Sequence, residues 1–216
     1  MGRHQGRLRV AGFPSAGQLL PAVIAELGRR LPEVTVVLLE GSDIEVRGWL
    51  DDGVIDVGVV AELLGCHPSV EAAAGVLLCE DRMVAVLSPD HPLAGQADVT
   101  LTDLTDDPFL LSDSGCEPLL RQMHEAAGIE LRPRRRVRDM STLLALVREQ
   151  LGVTVVPELS LTGVHGLIAV PVTPAARRAL RLIPADPDDI TATVRVLLDI
   201  THQRSQAPAQ AETTVP

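Results

Sequence analysis

Apolar positions along this chain switch between two spacings, and the switches predict alternating strands and helices. Residues 8–12 form a short apolar run ending at Phe13-Pro14-Ser15. From 16 to 31, Leu19, Leu20, Val23, Ile24, Leu27 and Leu31 recur at three- and four-residue steps, which puts them on one face of a helix that Pro32 ends. Residues 34–39 are almost all β-branched or leucine, the pattern of a strand buried on both faces. Ser42 followed by Glu45 is a capping box that opens a second helix. Gly53 follows its last turn, and residues 55–60 form a third strand. Short connections between these elements predict right-handed βαβ units and a parallel sheet.

Residues 76–79 and 83–87 predict two more strands, and Pro89-Asp-His-Pro92 a rigid turn between lobes. The second half repeats the plan. A strand at 109–112, a helix at 115–127 and a strand at 134–138 precede a helix at 141–151 closed by Gly152 and a strand at 153–156 stopped by Pro157. Strands at 167–172 and 180–183 lead to a last helix at 189–204, with Val194, Leu197 and Leu198 inward. The expected fold class is α/β with two lobes, 7–87 plus 181–204 and 88–180. A short leader occupies 1–6, and a disordered tail with nothing to bury occupies 205–216.

Composition narrows the function classes. With 216 residues, 46% of them hydrophobic, the chain can bury a sizeable core. Its longest apolar runs fall far short of the ~20 residues a membrane helix needs. No apolar stretch follows the basic residues at the N-terminus, so no secretory signal is expected and the location read from the sequence is cytoplasmic. Net charge is −10, every one of the 19 basic residues is arginine, and Phe13, Trp49 and Phe109 are the only aromatics. Duplex binding needs a basic surface and single-strand binding needs aromatic platforms, so these residues are not expected to bind nucleic acid themselves.

The candidate chemistry lies at strand-to-helix turns. In open α/β sheets, ligands sit beyond the carboxyl ends of strands, near helix N-termini that favour negative charge. Ser15, Ser42, Ser112, Ser114 and Ser141 all fall at such turns. Each can also be read as a plain helix cap; their convergence on one cleft would favour a small carboxylate-bearing ligand. Cys66, Cys79 and Cys116 are widely spaced and odd in number, which argues against a disulfide framework, and no spacing suits a metal. Cys116 opens a predicted helix, where a thiolate is stabilised, so it is a redox candidate. His124 lies two turns on, about 12 Å of rise away, and no G-x-S-x-G elbow exists, so a catalytic thiol or serine is disfavoured. In Arg132-Pro-Arg-Arg-Arg-Val-Arg138, strand alternation sends Arg134, Arg136 and Arg138 to one face. That face reads as a solvated edge, a subunit contact or an anion site.

Several stretches together resemble one family. Leu8-Arg-Val-Ala-Gly-Phe-Pro-Ser15, Leu20-Pro21 and Leu31-Pro32-Glu-Val-Thr-Val are similar to the start of the effector-binding domain of LysR-type transcriptional regulators. So are Leu50-Asp-Asp-Gly53-Val-Ile-Asp56, Glu80 to the His91-Pro92-Leu-Ala turn, and Leu146 to Pro157, the last with Gln150 and Leu151 where glycine is frequent. The resemblance implies a periplasmic-binding-protein-like (type 2) fold with the effector in the interlobe cleft. It also implies a homodimer, with a tetramer open for the parent protein, no cofactor, and DNA binding only through an N-terminal winged helix-turn-helix that is not in this sequence. Carried over residue by residue, it places Ser15, Ser42, Ser112, Ser114, Gly115, Met140 and Ser141 at the ligand. The lack of aromatics in those turns suggests an effector without an extended ring system. A stand-alone solute-binding protein of the same fold and a thiol sensor acting through Cys116 are the alternatives.

Overall fold

The computed structural model describes residues 6–64 and 75–206. Strand β1 (Gly6–Gly12) pairs in parallel with β2 (Val34–Glu40) and with β3 (Val57–Leu64). Helices α1 (Leu20–Arg30) and α2 (Asp43–Asp51) make the crossovers. The sheet then turns antiparallel: β9 (Arg177–Pro184) lies between β3 and the long β4 (Val76–Leu87), and β4 also pairs with β7 (Thr154–Pro157) and β8 (Ile168–Pro171). A second, parallel pair joins β5 (Phe109–Ser112) to β6 (Pro133–Val137), flanked by α3 (Glu117–Ala126) and α4 (Met140–Arg148). Helix α5 (Ala192–Gln206) returns to the first half.

Strand alternation builds the cores on both faces of each sheet half. In the first lobe Leu8, Val10, Val57 and Val59 meet Leu20, Val23 and Leu27 of α1 and Val194, Leu197 and Ile200 of α5. The opposite face sets Ala11 and Val60 on Val46 and Leu50 of α2. In the second lobe Met83, Ala85 and Leu87 face Leu111 and Leu120, while Val84 and Val86 face Leu143, Leu144 and Val147 of α4. Each fully buried leucine contributes about 2 kcal/mol of hydrophobic stabilisation. Two α/β lobes joined by the crossing strands β4 and β9 are therefore present, as the resemblance implied.

Several local expectations change. The two strands expected at 76–79 and 83–87 are one, bent by a bulge between Leu77 and Cys79, so Glu80–Arg82 pair with β9. The strand at 34–39 is not buried on both faces: β2 ends the strand order, and Leu38 is 53% exposed. The first long helix begins at Leu20. Residues Pro14–Gln18 make a separate 3-10 turn, because Gly17 weakens a helix interior and Pro21 is tolerated only in the first turn. Pro118 likewise sets the start of α3 at Glu117. Ser205 and Gln206, expected in the tail, belong to α5, and the rest of that tail lies outside the described residues, as do Cys66 and most of the expected leader. No helix of the described residues is long and apolar enough to cross a membrane.

Candidate functional site

The floor of the cleft is an ion pair that crosses the hinge. Arg178 on β9 stands opposite Asp81 on β4, and its Nη2 and Nε donate to Asp81 Oδ2 at 2.8 and 3.2 Å. Both side chains are almost wholly buried, at 2% and 3% exposure. Asp81 Oδ1 accepts the backbone N–H groups of Arg82 and Leu159, at 2.9 and 3.3 Å. Arg178 also donates to the Ser15 hydroxyl at 2.8 Å and lies 5.4 Å from the centre of the Phe13 ring. Ser15 thus sits in the cleft with one lone pair already used.

The second lobe meets the first at Gly115. Its φ of +117° suits glycine, and a Cβ there would come within 2.8 Å of the Asp43 backbone nitrogen at the start of α2. Asp43 is itself buried, bonded to Arg47 and to the Ala61 N–H. The Ser112 and Ser114 hydroxyls are 2.8 Å apart, with Ser112 fully buried behind Ser114. The predicted capping box holds: Glu45 N–H donates to the Ser42 hydroxyl at 3.2 Å, and Ser42 N–H donates to Glu45 Oε2 at 2.7 Å. The same Oε2 accepts Arg138 Nη2 at 2.6 Å, a clasp across the cleft mouth. These donors, the Ser42 N–H first, hold the Glu45 carboxyl below its ordinary value.

Two hollows open here. A recess of about 10 Å³, with room for little more than one water, touches Phe13, Ser15, Ser114, Gly115, Cys116, Met140 and Arg178. A cavity of about 500 Å³ is lined by Pro14, Glu40, Gly41, Ser42, Ser114, Arg138, Asp139 and Met140. A hollow of similar size beside Thr100, Met123 and Ala176 gathers no charged side chain. The structure therefore brings together Ser15, Ser42, Ser114, Gly115 and Met140 of the expected residues. Ser112 is reached only through Ser114. Ser141 is exposed and donates to Asp139 at 2.6 Å; Asp139 also accepts from Thr142 as the α4 cap, and these bonds lower its carboxyl to about 2.

Cys116 behaves unlike a helix-start thiolate. Burial pushes its thiol up, outweighing the opposing pull of Arg178. Cys79 is pushed up to about 11 for the same reason. His124 is a packing residue: its Nδ1 is 2.7 Å from the Leu120 carbonyl oxygen, its ring stands edge-on to Phe109, and burial lowers its pKa. Among the described residues no group of three or more His, Cys, Asp or Glu could hold a metal ion.

Sequence reasoning missed the Arg178–Asp81 pair and the Arg138–Glu45 clasp. The first had a signal, since Arg178 shares the strand parity of Leu180 and Leu182, both fully buried. A lone arginine on an otherwise apolar inward face calls for a buried anion.

Comparison with known proteins agrees with this fold. Residues 1–206 match the family model described as LysR substrate binding domain. The chain is 33% identical over 163 residues to the uncharacterised HTH-type transcriptional regulator YvbU of Bacillus subtilis (strain 168), a match covering 75% of this chain and 54% of that protein. The chain thus spans about half the length of that curated relative. Among solved structures, the Synechocystis PCC6803 CcmR regulatory domain in complex with 2-PG superposes with TM-score 0.79 at 19% identity, covering 94% of this chain and 99% of that one. The effector-binding domain of QuiR in complex with shikimate gives 0.77 at 16%, covering 93% and 97%.

Proposed function

The chain belongs to the LysR substrate-binding domain family, and from that premise we propose that its interlobe cleft senses a small carboxylate-bearing effector on behalf of a cytoplasmic transcriptional regulator. The observation that carries this is the 500 Å³ cavity walled by turns of both lobes, with Ser42 on one side and Ser114, Arg138 and Met140 on the other. Ser15, Ser42, Ser114 and the Gly115 backbone would bind the ligand, with Ser112 and Ser141 supporting their turns. Residues 7–87 with 181–204 and residues 88–180 are the lobes in this reading, except that Met83–Leu87, the end of β4, pack in the second lobe's core. A ligand touching both favours the closed arrangement by its differential affinity for the two states. In the parent protein that bias passes through a homodimer, or a tetramer, to a separate DNA-binding domain.

A thermal-shift screen with small carboxylic acids tests the site. A ligand should raise the melting temperature of the wild type, and Ser15→Ala and Ser114→Ala should each weaken its effect. Stabilisation that survives both substitutions unchanged would place the ligand elsewhere.

A further inference from the structure

The charges around the large cavity do not suit a plain carboxylic acid. Its one lining cation is Arg138, and Glu45 already takes one of that guanidinium's five N–H donors. Two carboxylates line the same space. Glu40, at the end of β2, has no side-chain partner among the described residues, and Asp139, whose Oδ1 caps α4, is served by hydroxyl and backbone N–H donors but by no cation among the described residues. The two helix starts that open here, at Ser42 and at Asp139, are therefore already served by the protein's own acids. Their attraction for an anion is largely spent. A monocarboxylate entering the cavity would meet one arginine shared with Glu45 and two lining carboxylates, Glu40 and Asp139, and like charges repel.

We propose that the effector is a zwitterion of the amino-acid type. This rests on the reading of the cleft as an effector site and names the class of ligand it takes. The carboxylate binds the Arg138 donors that Glu45 leaves open, beside the Ser114 hydroxyl. The ammonium group faces Glu40 and Asp139, giving each a counter-charge that the protein does not supply. A simple amine would satisfy the acids but leave Arg138 and Ser114 without a ligand anion, so both ends are required. Glu40 and Arg138 are thus the residues that set specificity, one for each end of the ligand.

Calorimetric titration of the full 216-residue chain with matched pairs tests this. Alanine is compared with propionate, leucine with 4-methylpentanoate, and glutamate with glutarate, with ethylamine as the cation control. At least one amino acid should bind ten-fold or more tightly than its deaminated partner. Glu40→Gln, at an exposed strand end, should shrink that ratio below about three-fold without weakening the plain acid. Arg138→Gln should weaken both members of the pair. If the plain acids bind as tightly as the amino acids, the zwitterion is wrong and the carboxylate effector stands. A preference that persists in both Glu40→Gln and Asp139→Asn overturns the assignment of the ammonium site. If ethylamine binds as well as the amino acids, or no member of any pair binds, the carboxylate reading falls with the zwitterion.

Discussion

Replacing Arg178 with methionine tests whether the hinge pair is a structural clamp. The substitution keeps an unbranched apolar stem but removes the guanidinium, leaving Asp81 at 3% exposure with only its two backbone donors. Stranding one member of a buried pair costs about 3–5 kcal/mol, because the remaining charge stays desolvated. For a chain of this size, about 2–4 °C of melting temperature is lost per kcal/mol, so Arg178→Met should melt roughly 6–20 °C below wild type. Adding Asp81→Asn removes the stranded charge but keeps an oxygen for the Arg82 and Leu159 amides, and should recover much of the loss. Urea unfolding measures all four corners of the cycle. A loss under about 1 kcal/mol for Arg178→Met, or a double variant as unstable as the summed singles, would refute the clamp.

Three further outcomes are expected. Ser42→Ala should cost about 1 kcal/mol in urea unfolding, since it deletes the hydroxyl that accepts the Glu45 N–H. Gly152→Ala should cost more than about 3 kcal/mol by the same assay, or abolish soluble expression: φ is +149° and the new Cβ would lie 2.0 Å from the Pro108 carbonyl oxygen, a clash with backbone that cannot swing away. Peptide mapping after iodoacetamide at pH 8 should find Cys116 unmodified in the native protein and modified in urea, given its burial and raised pKa. Rapid native labelling there would restore the redox reading.

What could be read in advance followed short-range physics. The capping box at Ser42 and Glu45 depends on two residues three apart, and α1 and α4 follow from apolar spacing within one helix, so a single sequence displays them. Strand partners are less visible. The residues of β2 look like a central strand, but its place at the end of the order depends on β3 pairing with β9, far later in the chain, from Val57 with Pro184 to Leu64 with Arg177. The serines were legible as turn residues, yet whether each faces the ligand was not. Ser112 is separated from the cavity by Ser114, and Ser141 is engaged by Asp139, arrangements set by tertiary packing. Arg138 and Glu45, 93 residues apart, meet only because the lobes do.

The two ion pairs that join distant parts of the site differ in a way that assigns them different tasks. Arg178–Asp81 lies on the two crossing strands and is shut away from water, so breaking it leaves a desolvated charge and no small ligand can profitably trade places with it. It ties the two crossing strands to each other. Arg138–Glu45 spans the cleft mouth with side chains 63% and 37% exposed, a setting in which an ion pair contributes about 0–1 kcal/mol. Glu45 does not need Arg138, because Ser42 still satisfies it when the clasp opens. A ligand carboxylate on the open donors of Arg138 can therefore loosen the clasp at small cost while the hinge stays intact. An exchangeable contact at the mouth over a fixed one at the floor lets binding energy go into lobe geometry instead of being lost in breaking the fold.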